Sequence, residues 1–177
     1  LKPFQKKNPK ALLITQSHFD HIKYIQDYEA LYPNIKIIGH PKSKLNVKET
    51  NYLSVEDNSS IKLGNLKIKV IHTPGHYFDS VCYLVENVVF TGDTLFIGRT
   101  GRTVSKGSNT SDLYNSVYKK LLNLPGNTII YPGHNYGSKP TMTISENIKI
   151  SNLLQASGEK DFIDRMKNYE KTRVNNS

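Results

Sequence analysis

One small arrangement recurs along this chain and restricts its fold more than anything else in the sequence. Four stretches with the pattern of a short strand each run into a turn, and each turn at once delivers a histidine or an aspartate. Residues 11–14 lead into Thr15-Gln16-Ser17-His18-Phe19-Asp20-His21, and residues 66–70 into His72-Thr73-Pro74-Gly75-His76. Residues 88–90 lead into Phe90-Thr91-Gly92-Asp93-Thr94, and residues 128–131 into Tyr131-Pro132-Gly133-His134. Imidazole and carboxylate donors at the ends of neighbouring strands can converge on one point, and they are the donors that hold zinc or iron. His18, Asp20, His21, His76, Asp93 and His134 are therefore the candidate metal ligands, and the two oxygens of Asp93 suit it to bridging two cations. The bland alternative, Asp20 capping a helix beside two exposed histidines, accounts for one of these turns but not for all four.

The remaining pattern supplies a frame for those turns. Ile22, Ile25 and Tyr28 recur at helical spacing until Tyr32-Pro33 stops the helix. Residues 35–38 read as a strand, and the polar segment 42–60 carries no assignable element. Leu66, Ile68 and Val70 alternate with Lys67 and Lys69, as in a strand with one buried face. Residues 81–85 and 88–90 predict a hairpin through Glu86-Asn87. Leu113, Val117, Leu121 and Leu122 mark a helical face, with Ser111 expected to cap it and Leu124-Pro125-Gly126 to end it. From about residue 145, Ile148, Leu153, Leu154, Phe162, Ile163 and Met166 predict two closing helices that fray from Thr172. Strands alternating with helices over 177 residues predict a single α/β or α+β domain spanning 1–177.

Composition excludes several classes. The net charge of +9 suggests a polyanion partner, but the lysines are scattered in pairs such as Lys6-Lys7 and Lys119-Lys120, beside no nucleic-acid-binding motif. No nucleic-acid partner is expected. No apolar run approaches the roughly 18 residues of a membrane span. The lone Cys82 lies in the apolar run Val81-Cys82-Tyr83-Leu84-Val85, where a buried thiol is expected; it rules out an intramolecular disulfide and suits a reducing compartment, hence the cytoplasm. No signal peptide is visible at the start. The sequence opens at Leu1 rather than Met, so an N-terminal piece is expected to be missing. His72 is expected to be structural or to support the ligands from behind, and His40 to be an ordinary loop histidine.

These residues resemble a known family. T-Q-S-H-F-D-H is similar to the H-x-H-x-D-H signature of the metallo-β-lactamase superfamily, and H-T-P-G-H, F-T-G-D-T and Y-P-G-H follow in that family's order. The resemblance covers residues 11 to 170 and implies an αββα sandwich, here lacking its first N-terminal strands. F-T-G-D-T-L-F-I-G-R-T-G-R-T and L-P-G-N-T-I-I-Y-P-G-H-N-Y resemble the branch of glyoxalase II and the persulfide dioxygenases. The short closing helices are more like those of the dioxygenases than the longer glutathione-binding domain of glyoxalase II.

The resemblance implies one metal site from position 16, His18 and His76, a second from Asp20, His21 and His134, and Asp93 between them. In the dioxygenases it implies iron held at position 16, His76 and Asp93. Gln16 stands where the family's first signature histidine falls, and a neutral amide oxygen is a much weaker ligand than imidazole. The second site is then complete and the first weakened.

The implied cofactor is zinc or iron, one or two ions per chain, and the implied substrate a small thiol-derived molecule; a homodimer is left open. Hydrolysis of a thioester such as hydroxyacylglutathione leads, with Asp20 and Asp93 holding the metal and orienting the attacking water. An iron-dependent persulfide dioxygenase built on His18, His76 and Asp93 is the alternative, and a metal-depleted, non-catalytic scaffold is a third reading. Arg99 and Arg102, just after Asp93, are placed to pair with a substrate carboxylate or else to form surface ion pairs.

Overall fold

The structure, a computed structural model, describes residues 8–174; the Lys6-Lys7 pair, the chain start and the last three residues lie outside the described residues. Among the described residues, eleven strands fall into a three-stranded parallel sheet, a six-stranded mixed sheet and a small hairpin. The small sheet joins β1 (Ala11–Leu13), β2 (Lys36–Gly39) and β3 (Tyr52–Ser54) in that order. The large sheet joins β4 (Ser60–Leu63), β5 (Leu66–His72), β6 (Val81–Val85), β7 (Val88–Gly92), β10 (Ile129–Pro132) and β11 (Met142–Thr143) in the order β11-β10-β7-β6-β5-β4. β8 (Leu95–Phe96) and β9 (Arg99–Thr100) form the hairpin.

Side-chain alternation along the strands sorts the apolar residues into three layers. On β1, Ala11 and Leu13 face the large sheet, while Leu12 packs with Ile14 against the helices α1 (Phe19–Ile22) and α2 (Ile25–Leu31). β2 divides the same way: Ile38 enters the layer between the sheets and Ile37 the helical layer. On β6, Val81, Tyr83 and Val85 face the small sheet, whereas Cys82 and Leu84 face a third layer covered by α3 (Thr110–Tyr114), α4 (Ile144–Ile150) and α5 (Glu159–Val174). Period-two alternation on strands buried on both faces thus yields helices, sheet, sheet and helices, the expected αββα sandwich. Tyr83 spans the middle layer, its hydroxyl 2.8 Å from the Ile14 carbonyl and 3.2 Å from that of Ile38. Burial pushes the Cys82 thiol up to about 12, as suits a packed rather than a reactive sulfur.

Several expectations need correction. The helix expected around residues 22–28 is two short helices, separated at Lys23-Tyr24. The polar segment 42–60 contains a 3-10 turn at Glu49–Asn51, all of β3 and the first residue of β4. Ser111 does not cap α3. Asn109 does, its side chain accepting from the Asp112 amide, and the Ser111 hydroxyl turns to Glu159. The helix widens into a π-helix over Asn115–Leu121. His40 is buried and stacked on His72, ring centroids 4.2 Å apart and planes 15° apart, whereas His72 has the structural role expected of it, with Nε2 3.0 Å from the Phe78 carbonyl. No helix among the described residues is long and apolar enough to cross a membrane.

Candidate metal centre

Strand direction is what gathers the turns. β10 runs parallel to β7, and β5 and β7 are each antiparallel to β6, so β5, β7 and β10 end at one edge of the large sheet. The residues that follow are His76, Asp93 and His134. β1 belongs to the other sheet, and the Val81 amide holds its exit turn by donating to the Thr15 carbonyl at 2.8 Å. The six candidate ligands meet at this edge.

Asp93 is the hub. Its Oδ1 lies 3.4 Å from His21 Nε2, and its Oδ2 lies 3.5 Å from His134 Nε2 and 3.8 Å from His76 Nε2. Asp20 Oδ2 lies 3.1 Å from His134 Nε2, and the N-terminal cap position of α1 is His18, with no side-chain cap bond. Asp20 therefore faces the cluster instead of closing a helix end. Donor atoms of Asp20, His21 and His134 all fall within 4.8 Å of one another.

A cation fits these residues. His21 Nε2 and Asp93 Oδ1 are buried with no hydrogen-bond partner, a costly state unless a charge between them supplies one. Gly133 keeps that space open, since a Cβ there would lie 2.5 Å from Asp93 Oδ1 and 3.0 Å from His21 Cε1. His76 Nδ1 lies 2.8 Å from the Arg102 carbonyl, which can only accept, so Nδ1 carries the proton and Nε2 turns a bare lone pair inward.

The titration pattern agrees. Burial holds His76 below its ordinary value, against the opposing pull of the Arg102 carbonyl and Asp93. Burial acts the same way on His21, but contact with Asp93 and the charges of Asp93 and Asp20 outweigh it and raise the imidazole. Burial favours the neutral acid at Asp93, yet contact with His21 and the charges of His21, His134 and His76 hold it below the usual carboxylate range.

The other side of the cluster is different. His18 Nδ1 lies 3.2 Å from His76 Nε2 and 3.2 Å from Gln16 Nε2. The Gln16 carboxamide is buried, with Oε1 accepting from Ser80 Oγ at 3.4 Å, so it presents its donor end to His18. A ligand at position 16 would have to offer a lone pair there instead.

Arg99 reaches the Tyr136 carbonyl at 2.9 Å and lies over the Tyr136 ring, which stacks on His134. Its guanidinium braces the loop carrying His134. The Arg102 side chain is exposed, while its backbone orients His76. Asp79, which the sequence did not single out, is completely buried and accepts from the Ser17 amide at 3.3 Å. Its only sequence signal is a carboxylate three residues past a ligand turn.

Comparison with known proteins places this geometry. A family model described as the metallo-beta-lactamase superfamily matches residues 1–134. The chain is 38% identical over 129 residues to a hydroxyacylglutathione hydrolase of Francisella tularensis subsp. novicida, covering 72% of this chain and 50% of that one. It is 28% identical over 155 residues to the probable polyketide biosynthesis zinc-dependent hydrolase BaeB of Bacillus velezensis, covering 87% of this chain and 69% of that one. The crystal structure of ETHE1 from Myxococcus xanthus superposes with a TM-score of 0.79 at 30% identity, covering 90% of this chain and 69% of that one. The chain thus spans between half and about two thirds of the length of these relatives.

Proposed function

The chain belongs to the metallo-β-lactamase superfamily, and on that premise we propose that it is a metal-dependent hydrolase that cleaves a thioester such as hydroxyacylglutathione. The observation that carries this reading is the cluster of ligand-type atoms around Asp93, where His21 Nε2 and Asp93 Oδ1, 3.4 Å apart, are buried without a hydrogen-bond partner beside His134 and Asp20. Asp20, His21, Asp93 and His134 would hold the ion, zinc by the name of the BaeB relative, with His18 and His76 alongside. An ion so held supplies a water acidic enough to ionise near neutral pH, at about pKa 7, and an electrophilic carbonyl. Asp93 and Asp20, whose Oδ2 atoms both lie beside His134 Nε2, would orient the attacking water. A thiolate leaves without a strong acid, and the pocket requires none.

A second reading has its own support. His18 Nδ1, His76 Nε2 and Asp93 Oδ2 stand close together, a two-histidine, one-carboxylate set of the kind that holds non-haem iron, and the fold is similar to that of ETHE1. The Gln16 amide donor directed at His18 weighs against it.

Purified chain is expected to hold about one zinc ion and to cleave hydroxyacylglutathione. Metal counting by mass spectrometry, with thioester and oxygen-uptake assays on glutathione persulfide, checks this. One iron with oxygen uptake would establish the dioxygenase, and little metal with neither activity a non-catalytic scaffold. Gln16→His is expected to restore an imidazole donor beside His18 and His76, raising metal content toward one further ion per chain and raising thioester turnover. Unchanged metal content would mean that Gln16 does not limit the first site.

A further inference from the structure

Two adjacent residues latch the loop that carries His76 to the turn that carries His18, and we infer that one of them, Asp79, is a positioning residue that sets the affinity of the metal centre without touching the ion. The inference rests on the metal-dependent reading above and adds a part of the machinery to it.

Asp79 is 0% exposed, and burying a carboxylate is costly unless hydrogen bonds and an opposite charge offset the loss of water. Hydrogen bonds are present: Ser17 N donates to Oδ1 at 3.3 Å and Ser43 Oγ to Oδ2 at 2.7 Å. Both oxygens accept, as those of an ionised carboxylate do. Among the described residues no lysine or arginine lies within ion-pair distance of Asp79. Two neutral donors orient the group, and the buried His40 imidazole, which feels its charge, is nevertheless held below its ordinary value by burial, so the carboxylate is left without a full opposite charge. Ser17 lies between Gln16 and His18, so that charge sits directly behind the turn whose imidazoles face the metal pocket. A cation in the pocket is the opposite charge the buried carboxylate lacks.

The neighbouring residue completes the latch. Ser80 Oγ donates to Gln16 Oε1, and the Ser80 carbonyl accepts from the Thr73 amide at 2.8 Å, closing the His76 loop on itself. Asp79 and Ser80 thus grip Ser17 and Gln16 from a loop that also carries His76. On this reading Gln16, a much weaker ligand than histidine, works as a strut: its oxygen is held by Ser80 while its amide points at His18 Nδ1.

Asp79→Asn separates charge from structure. Asparagine fills the same volume and can accept from Ser17 N while Ser43 Oγ accepts from its amide, so the latch keeps its hydrogen bonds and loses only its charge. The probe is cobalt(II), with affinity read by chelator competition and site geometry by visible absorption, and thermal unfolding of the metal-free chain is followed in parallel.

Affinity is expected to fall about 10- to 100-fold while the metal-free unfolding temperature stays near that of the wild type. Wild-type affinity in Asp79→Asn overturns the inference, all the more if the metal-free protein is destabilised, because Asp79 would then be structural only. Should that variant fail to fold, Ser43→Ala keeps the charge but removes the donor that fixes Oδ2, letting the carboxylate swing away from the Ser17 turn, and is expected to weaken cobalt binding about threefold; unchanged affinity there also overturns it. A wild-type chain that takes up no cobalt would instead sink the metal-dependent reading itself.

Discussion

Asp93→Ala is expected to empty the centre of metal and to lower thioester kcat/KM by about three orders of magnitude, roughly 4 kcal/mol of transition-state stabilisation. Asp93 touches His21, His76 and His134 at once, and the other carboxylate in the cluster, Asp20, has a side chain 51% exposed. Without Asp93, three imidazoles face one another around a cavity with no buried anion, and a divalent ion loses both a ligand and the charge that offsets its own. The fold itself should survive.

In the metal-free protein Asp93 is held below its ordinary 3.8 and so stabilises the fold above that value, a contribution lost as pH falls through the lowered folded value. His21 is raised above its ordinary 6.5 and stabilises the fold below that value, a contribution lost as pH rises through the raised one. The pair therefore strengthens the metal-free fold between weakly acidic and near-neutral pH. Asp93→Ala should flatten that maximum in unfolding curves taken across the range. Retained metal at wild-type stoichiometry would remove Asp93 from the centre of the proposal.

The site was legible in the sequence because each of its parts is local. Thr-Pro-Gly before His76, Thr-Gly before Asp93 and Pro-Gly before His134 are turns written in three or four residues, and the strands before them carry plain apolar patterns. Their convergence follows from β5, β7 and β10 sharing one direction. What could not be read was decided at long range. Asp79 looks like an ordinary loop carboxylate until Ser43, 36 residues earlier, is folded against it. His40 looks exposed until His72 stacks on it. β3 is only three residues long, and Tyr52-Leu53-Ser54 lacks a buried alternation, so its strand character comes from pairing with β2 rather than from its own pattern. Ser111 and Asn109 are both good caps, and the choice fell to Asn109 because its backbone amide is already fixed on the Gly75 carbonyl at 2.8 Å.

That last contact leads to the substitution expected to cost the fold most. Gly75 has φ +134, outside the range of ordinary L residues, and a Cβ there would lie 2.2 Å from the Leu113 backbone nitrogen and 2.3 Å from its Cα. The obstacle is helix backbone and not the tip of a flexible side chain. α3 comes this close because Asn109 N bonds to the Gly75 carbonyl and Ser116 Oγ to the Pro74 carbonyl at 2.6 Å, with Leu113 completely buried in the core beneath. Gly75→Ala must drive the helix outward, break those bonds and open the core around Leu113, and it is expected to destabilise the metal-free chain by at least about 3 kcal/mol in urea unfolding. Gly64→Ala is the control, since it also has a positive φ but nothing within 4 Å of its would-be Cβ, so only the backbone cost of about 1 kcal/mol applies. Equal losses in the two variants would mean that the close approach of α3 to the His76 turn is not what holds that turn in place.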